Sequence, residues 1–115
     1  MFKSPEQMVN EYKEEMRGGK GTVELLHIFQ QDELKGKCRI FAKITMNPGC
    51  SIGLHPHENE EEVYYILSGT GTVNDNGNIK EVKVGDAVLT GGGAQHSIEN
   101  TGDQPLVLMA VVLLY

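Results

Sequence analysis

The feature that most constrains this chain is the close spacing of its turn signals. Glycine occurs 14 times in 115 residues, and Asn-Pro-Gly at 47–49, Asp-Asn-Gly at 75–77 and Gly-Asp at 85–86 separate short apolar or alternating segments. Asn-Gly readily takes the positive φ angles that tight hairpin turns need. Beyond residue 21 these turns leave room for eight or more short strands and no helices. The pattern predicts an all-β antiparallel sandwich or barrel.

The predicted strands follow from residue type and from alternation along each segment. On the second strand, Ile40, Ala42, Ile44 and Met46 share one face. The longest apolar run closes the sequence and is read as a buried strand. The strand segments are 22–29, 38–46, 51–57, 62–67, 70–74, 79–84, 87–90, 96–100 and 106–115.

The first twenty residues predict a short α-helix instead. Ser4 suits the N-cap, Pro5 suits the first helical position, and Gln7 stands where a capping box places its second member. Apolar residues then recur at helical spacing until the glycine pair at 18–19: Met8, Val9, Tyr12 and Met16. We therefore expect one domain over 1–115, with an N-terminal helix and linker in 1–20 and a β-barrel in 22–115.

Composition and charge exclude several classes of partner. The net charge is −6 and no run of Lys and Arg offers a phosphate-binding patch, so we expect no nucleic-acid partner. No segment reaches about 18 apolar residues, so no membrane span is expected. The N-terminus lacks the basic-then-apolar layout of a signal peptide, which predicts a cytoplasmic protein with Cys38 and Cys50 as free thiols.

Three histidines and a carboxylate are the candidate chemistry. His55 and His57 share one face of a predicted strand, a cluster of four glutamates follows them at 58 and 60–62, and His96 begins a later strand. If the sheet closes on itself, the three imidazoles converge in its interior. Such a set suits one divalent ion of manganese, iron, nickel, cobalt or zinc. Strand alternation leaves open whether Glu61 or Glu62 is the carboxylate ligand.

Two other candidates are set aside. His27 lies alone in the first strand, where a histidine is more often a satisfied or exposed side chain than a ligand. Cys50 sits at the Pro48-Gly49 turn rather than on the face that carries the two histidines. We expect neither residue to bind a metal.

The motifs resemble those of the cupin family, small β-barrels with a double-stranded β-helix or jelly-roll fold. Its first motif, glycine, His-x-His, glutamate and glycine at fixed spacing, is matched by Gly49, His55, His57, Glu62 and Gly69. Its second motif is matched by a set in which Gly91 replaces the usual proline: Gly85, Gly93, His96 and Asn100. The resemblance selects Glu62 over Glu61, and assigns His55, His57, Glu62 and His96 to the metal. Glu58, Glu60 and Glu61 are then left to a solvated turn.

The resemblance implies a small single-barrel cupin of the oxalate-decarboxylase-like type. We expect a metal-dependent enzyme acting on a small polar or carboxylate metabolite, as a decarboxylase, dioxygenase or isomerase. The alternative is a metal-containing module that binds or senses a small molecule without turnover. Ile52 occupies the position of the arginine that holds the substrate carboxylate in oxalate decarboxylases. The sequence leaves open whether Arg39 or Lys43 faces the pocket instead.

Further expectations concern the barrel interior and the oligomeric state. Tyr64 and Ile66 should face inward beside Glu62, and Ile98 beside His96, with Tyr64 the candidate pocket residue. The apolar segment 106–115 suggests a second buried surface on so small a barrel. We therefore expect a homodimer, as is usual for proteins that resemble cupins.

Overall fold

The computed structural model describes all of residues 1–115, and strands dominate it. Asn76 and Gly77 form the predicted hairpin turn, with φ angles of 48° and 99°. The predicted all-β class is confirmed, with ten strands in chain order. They are β1 (Val9–Glu14), β2 (Thr22–His27), β3 (Cys38–Met46), β4 (Ser51–Pro56), β5 (Glu60–Ser68), β6 (Gly71–Asp75), β7 (Asn78–Val82), β8 (Ala87–Gly91), β9 (Gln95–Glu99) and β10 (Leu106–Leu114).

Two antiparallel sheets make up the barrel. One sheet has six strands in the order β1-β2-β3-β10-β5-β8, and the other has four in the order β4-β9-β6-β7. Because consecutive strands such as β3 and β4, or β4 and β5, lie in different sheets, the chain crosses repeatedly between them. This is the predicted jelly-roll barrel of the double-stranded β-helix type.

The core lies between the two sheets. The last apolar segment forms β10, which runs between β3 and β5 in the middle of the six-stranded sheet. Its alternate residues point inward, and their neighbours point to the outer face of that sheet. The fully buried apolar core contains Val23, Leu25, Ile44, Met46, Ile52, Tyr64, Ile66, Val73, Ile98, Leu106, Leu108 and Ala110.

The predicted N-terminal α-helix is wrong. Helical geometry is limited to one turn of 3-10 helix, Pro5–Gln7, and no helix is long and apolar enough to cross a membrane. The turn at Met16–Gly18 is not helical, because Arg17 and Gly18 have left-handed φ angles of 54° and 79°. Half of the capping box forms: the Ser4 backbone N–H donates to Gln7 Oε1 at 2.9 Å, but the Ser4 side chain makes no cap hydrogen bond. The next residues instead form β1, which pairs along its whole length with β2. A short isolated helix is marginal in water, whereas the free edge of β2 offers a complete hydrogen-bond ladder.

A tight strap, residues 15–21, joins β1 to β2 and runs along β4. The backbone N–H of Ser51 donates to the Lys20 carbonyl oxygen at 2.9 Å, and the Lys20 N–H donates to Ser51 Oγ at 2.9 Å. Arg17 in this strap has the left-handed φ of 54°, which is unfavourable for a side chain of its type. The strap therefore closes the side of the barrel next to β4.

Asn100, the last residue of the second motif, fastens three segments together. Its buried Nδ2 donates to the carbonyl oxygens of Met46 at 2.9 Å and Gln104 at 2.8 Å. Its Oδ1 accepts from the Gly102 backbone N–H at 3.0 Å. The amide thereby joins the end of β3 to the turn between β9 and β10.

Replacing Asn100 with aspartate should therefore destabilise the barrel. The carboxylate keeps the shape but cannot donate, and it faces two carbonyl oxygens, so we expect Asn100→Asp to lower the free energy of unfolding by about 2 kcal/mol. Urea denaturation of the metal-free protein measures this. The control is Asn74→Asp, because Asn74 Oδ1 only accepts a hydrogen bond in an exposed turn. Equal stability of the two variants would contradict the stabilising role of the Asn100 hydrogen bonds.

Candidate metal centre

The four residues of the predicted metal site meet inside the barrel. His55 lies on β4, His57 directly follows that strand, Glu62 lies on β5, and His96 lies on β9. All four side chains are buried. Since β5 belongs to one sheet and β4 and β9 to the other, the site lies between the two sheets.

A bulge in β4 turns His55 into the interior. The register of β4 against β9 shifts between Ile52 and His55, so both residues are buried although simple alternation would place them on opposite faces. Gly53 lies in this irregular stretch. A Cβ at Gly53 would lie 2.1 Å from the Arg17 carbonyl oxygen, so only glycine lets the strap approach β4 here.

The donor atoms of the four residues converge on one point. The three Nε2 atoms lie 3.1 Å (His55 to His57), 3.0 Å (His57 to His96) and 3.1 Å (His96 to His55) apart. Glu62 Oε1 lies 2.9 Å from His57 Nε2 and 3.0 Å from His96 Nε2. Each residue thus offers one donor atom, all within 4.8 Å of one another.

This spacing fits a single transition-metal ion. Donor atoms about 2.1 Å from a shared ion lie about 3.0 Å apart when they subtend a right angle and about 3.4 Å apart in a tetrahedron. The observed nitrogen separations match the right-angled arrangement. Imidazole and carboxylate donors also suit divalent first-row ions. The residues present therefore fit the metal that the motifs imply.

Hydrogen bonds on the outer ring nitrogens fix two of the three tautomers. His55 Nδ1 donates to the Gly53 carbonyl oxygen at 2.7 Å, and His57 Nδ1 donates to Glu60 Oε2 at 2.5 Å. In a neutral ring this leaves Nε2 with a free lone pair toward the centre. His96 Nδ1 is buried without a partner. Lone pairs so close together need a positive charge between them, either a proton or a metal ion.

Tyr64 holds the ring of His96 from one side. The two rings stack with centroids 4.7 Å apart and an interplanar angle of 11°. Burial raises the pKa of Tyr64 well above its ordinary value, with the charge of Glu62 acting in the same direction and that of Arg17 opposing it. The candidate pocket residue is therefore a neutral, inward phenol in contact with a predicted ligand.

The charges of the cluster are set by burial and by mutual contact. Burial opposes ionisation of Glu62, but its contacts with His57 and His96 outweigh burial and lower the Glu62 pKa to about 2. The hydrogen bond to Glu62 raises the pKa of His57. Burial lowers the pKa of His55. The metal-free cluster thus keeps an ionised carboxylate, and a metal ion must compete with the proton on His57.

Glu60 is the residue that sequence reasoning missed. It was assigned to a solvated turn, but its side chain is largely buried and contacts His57 and Arg39. Arg39, left open as a pocket residue, donates to both Glu60 oxygens at 3.1 and 2.8 Å. Lys43 alternates with buried residues of β3 and so lies on the outer face. The one available signal was the three-residue spacing from His57 to Glu60, which does not reveal Arg39.

The residues set aside as ligands lie outside the cluster. His27 Nε2 lies 2.9 Å from Glu11 Oε1, a residue of β1, and contacts none of the predicted ligands. Cys38 and Cys50 are free thiols, as expected.

The interior around the cluster is closed and apolar. Beside the ligands, the inward positions of the same strands include Ile52, Tyr64, Ile66 and Ile98, and all four are buried, as predicted for the last three. The four cavities of the molecule open elsewhere on its surface, and none is lined by a predicted ligand. Any molecule that binds at the cluster must therefore be small.

The jelly-roll barrel, with three imidazoles and one carboxylate converging inside it, places this protein among the β-barrel proteins that have a central His/Glu site. The chain belongs to the cupin family, since the model of the cupin domain matches residues 42–112.

Three similar proteins place it within the family. The oxalate-binding protein of Thermotoga maritima is 46% identical over 111 residues, which cover 96% of this chain and 88% of that protein. A solved structure of a predicted oxalate decarboxylase from Thermotoga maritima has a TM-score of 0.94 and 43% identity, covering both chains completely. The mannose-1-phosphate guanylyltransferase of Escherichia coli K12 is 32% identical over 69 residues, only 14% of its length. Because this match covers so small a part of the guanylyltransferase, the activity of that protein is not carried over to this chain.

Removing a predicted ligand should weaken metal binding strongly. We expect His55→Ala, His57→Ala and His96→Ala each to lower the affinity for Co²⁺ by at least about 100-fold, because each removes one of four donors. Isothermal titration calorimetry on the metal-free protein measures this. His27→Ala is the matched control and should bind as the unaltered protein does. Comparable losses in all four variants would refute the division between ligands and non-ligand.

Proposed function

We propose that this protein binds one divalent transition metal through His55, His57, Glu62 and His96, and holds a small dicarboxylate of oxalate size at that metal. The observation that carries the proposal is the convergence of four buried donor atoms, with five of their six mutual distances near 3 Å and the whole set within 4.8 Å. The bound metal supplies a Lewis acid that accepts carboxylate oxygens. The similarity to an oxalate-binding protein over nearly the whole chain supports this choice of ligand.

The closed interior limits the size of any ligand at the cluster. No cavity reaches the cluster, and isoleucines occupy the neighbouring inward positions. Arg39 is engaged by Glu60, Lys43 points outward, and Ile52 stands where related enzymes use arginine. Neither Arg39 nor Lys43 is therefore free to hold a carboxylate, and we assign that contact to the metal.

Binding without turnover agrees better with these contacts than catalysis does. A decarboxylase needs a group that delivers or removes a proton near the substrate. Glu62 serves as a ligand, and burial keeps the Tyr64 phenol neutral and a poor acid. The second candidate is the enzyme expected from the sequence, a decarboxylase, dioxygenase or isomerase acting on a small carboxylate. The similarity to a predicted oxalate decarboxylase favours it.

The two candidates are distinguished by whether the protein only binds oxalate or also converts it to a product. We expect calorimetry to show about one oxalate bound per metal-loaded chain, none without metal, and no response to succinate, which is too long for the interior. Loading separately with Mn²⁺, Co²⁺, Ni²⁺ and Zn²⁺ tests each metal, and His96→Ala is the control. We also expect no formate or carbon dioxide in overnight incubations. Metal-dependent formate production would establish a decarboxylase instead, and metal-loaded protein that does not bind oxalate would refute the proposed ligand.

We also propose a homodimer that forms through the outer face of the six-stranded sheet. Cross-strand neighbours on β5, β8 and β10 place Tyr65, Leu89, Val63, Met109 and Val111 on one outward face. Tyr65 and Leu89 are exposed. A contiguous apolar face of this kind is uncommon on a monomer and is typical of an interface. The central strand β10 contributes to it, as its apolar sequence suggested.

A charge placed on this face should yield monomers. Leu89 is 61% exposed, so Leu89→Glu should leave the fold intact while opposing association of two apolar faces. Ile79 on the four-stranded sheet is 65% exposed and provides the control, Ile79→Glu. Light scattering after size-exclusion chromatography should give a dimer mass for the unaltered chain and for Ile79→Glu, but a monomer mass for Leu89→Glu. A monomeric unaltered chain would refute the dimer.

A further inference from the structure

Arg39, Glu60 and His57 form a continuous chain of hydrogen bonds that ends at the candidate metal centre. Arg39 lies near the start of β3, Glu60 begins β5, and His57 follows β4. The Arg39 guanidinium donates to both oxygens of Glu60, at 3.1 Å from Nε and 2.8 Å from Nη2. Glu60 Oε2 also accepts from His57 Nδ1. One carboxylate is thus held by an arginine on one side and by a predicted ligand on the other.

This series of hydrogen bonds runs from the surface into the barrel. The side chains are 34%, 14% and 3% exposed for Arg39, Glu60 and His57, in that order. Exposed ion pairs contribute little because solvent screens them. Here the pair is bidentate and its carboxylate is largely buried, which gives it a defined geometry.

The three histidines of the cluster differ at their outer nitrogens. His55 Nδ1 donates to a neutral carbonyl, His96 Nδ1 has no partner, and only His57 Nδ1 donates to a carboxylate. A carboxylate on the outer nitrogen fixes the ring orientation and makes the inner nitrogen a stronger donor. The comparison of the three rings singles out His57 as the best-oriented and most electron-rich ligand.

We propose that Glu60 is the positioning residue of the metal centre and that Arg39 holds Glu60 in place, which makes His57 the anchoring ligand. Without Arg39, Glu60 would be drawn toward solvent and away from the negative charge of nearby Glu62. This inference rests on the metal site of the proposed function but not on the identity of its organic ligand. Neither Arg39 nor Glu60 touches the metal position, so both act through His57.

The test compares two glutamates that are adjacent in sequence. Glu60→Gln keeps an acceptor for His57 but removes the charge, and it should weaken Co²⁺ affinity by about 10- to 100-fold. Arg39→Met should weaken it by a smaller factor, several-fold. Glu61→Gln makes the same charge change on the outer face and should bind as the unaltered chain does. Thermal unfolding of each metal-free variant separates a loss of fold from a loss of affinity.

A second measurement does not depend on metal. Long-range ¹⁵N spectra of the imidazoles in metal-free protein, at a pH where the rings are neutral, report which nitrogen carries the proton. The His57 ring should carry it on Nδ1 in the unaltered chain and in Glu61→Gln, and should shift it toward Nε2, which faces Glu62, in Glu60→Ala.

Each outcome bears on one proposal. Unchanged Co²⁺ affinity in folded Glu60→Gln overturns the positioning role, as does an unchanged His57 tautomer in Glu60→Ala. If the unaltered chain binds no metal, the proposed function fails, while the tautomer still decides whether Glu60 orients His57. If oxalate fails to bind but Glu60→Gln weakens Co²⁺ binding, the positioning role stands without the proposed ligand.

Discussion

The metal centre depends on a positive charge that offsets the repulsion among its donor atoms. Three imidazole nitrogens lie 3.0–3.1 Å from one another, and a carboxylate oxygen lies 2.9–3.0 Å from two of them, inside an apolar barrel. Burial opposes an ionised carboxylate there, yet the pull of the imidazoles lowers the Glu62 pKa to about 2. The cluster therefore demands a proton or a metal ion at its centre, and its donor atoms suit the metal.

Holding such groups together requires a rigid scaffold, and a different contact orients each histidine. The bulge in β4 turns His55 inward and brings the Gly53 carbonyl to its ring. Tyr64 stacks on His96, whose outer nitrogen has no hydrogen bond. His57 is held by Glu60. Because the ligands come from both sheets, the packing of one sheet on the other sets the shape of the site.

The sequence predicted features that depend on local chemistry and missed those that depend on distant segments. Turn residues mark strand ends wherever the strands pair, so the all-β barrel could be predicted from the residues. The choice of Glu62 over Glu61 came instead from the resemblance to the cupin motifs. The prediction of an N-terminal helix was wrong because pairing with the free edge of β2, rather than the cap at Ser4, determined the conformation of residues 9–14. Glu60 could not be placed because its partner, Arg39, approaches only when the barrel forms. The single-domain organisation, the cytoplasmic location and the absence of a nucleic-acid partner stay predictions.

The position of Ile52 now has a physical interpretation. An enzyme that holds a carboxylate with arginine places a second positive charge beside its metal, and this chain places a buried isoleucine there. Arg39 is hydrogen-bonded to Glu60, whereas the charge of Arg17, the other arginine of the sequence, acts on Tyr64. Under the function proposed above, charge recognition falls to the metal, and the buried Ile52, Ile66 and Ile98 limit the size of the ligand. A closed apolar wall discriminates by size because a longer acid would have to displace packed side chains, so the proposed ligand is a two-carbon dianion rather than a longer homologue.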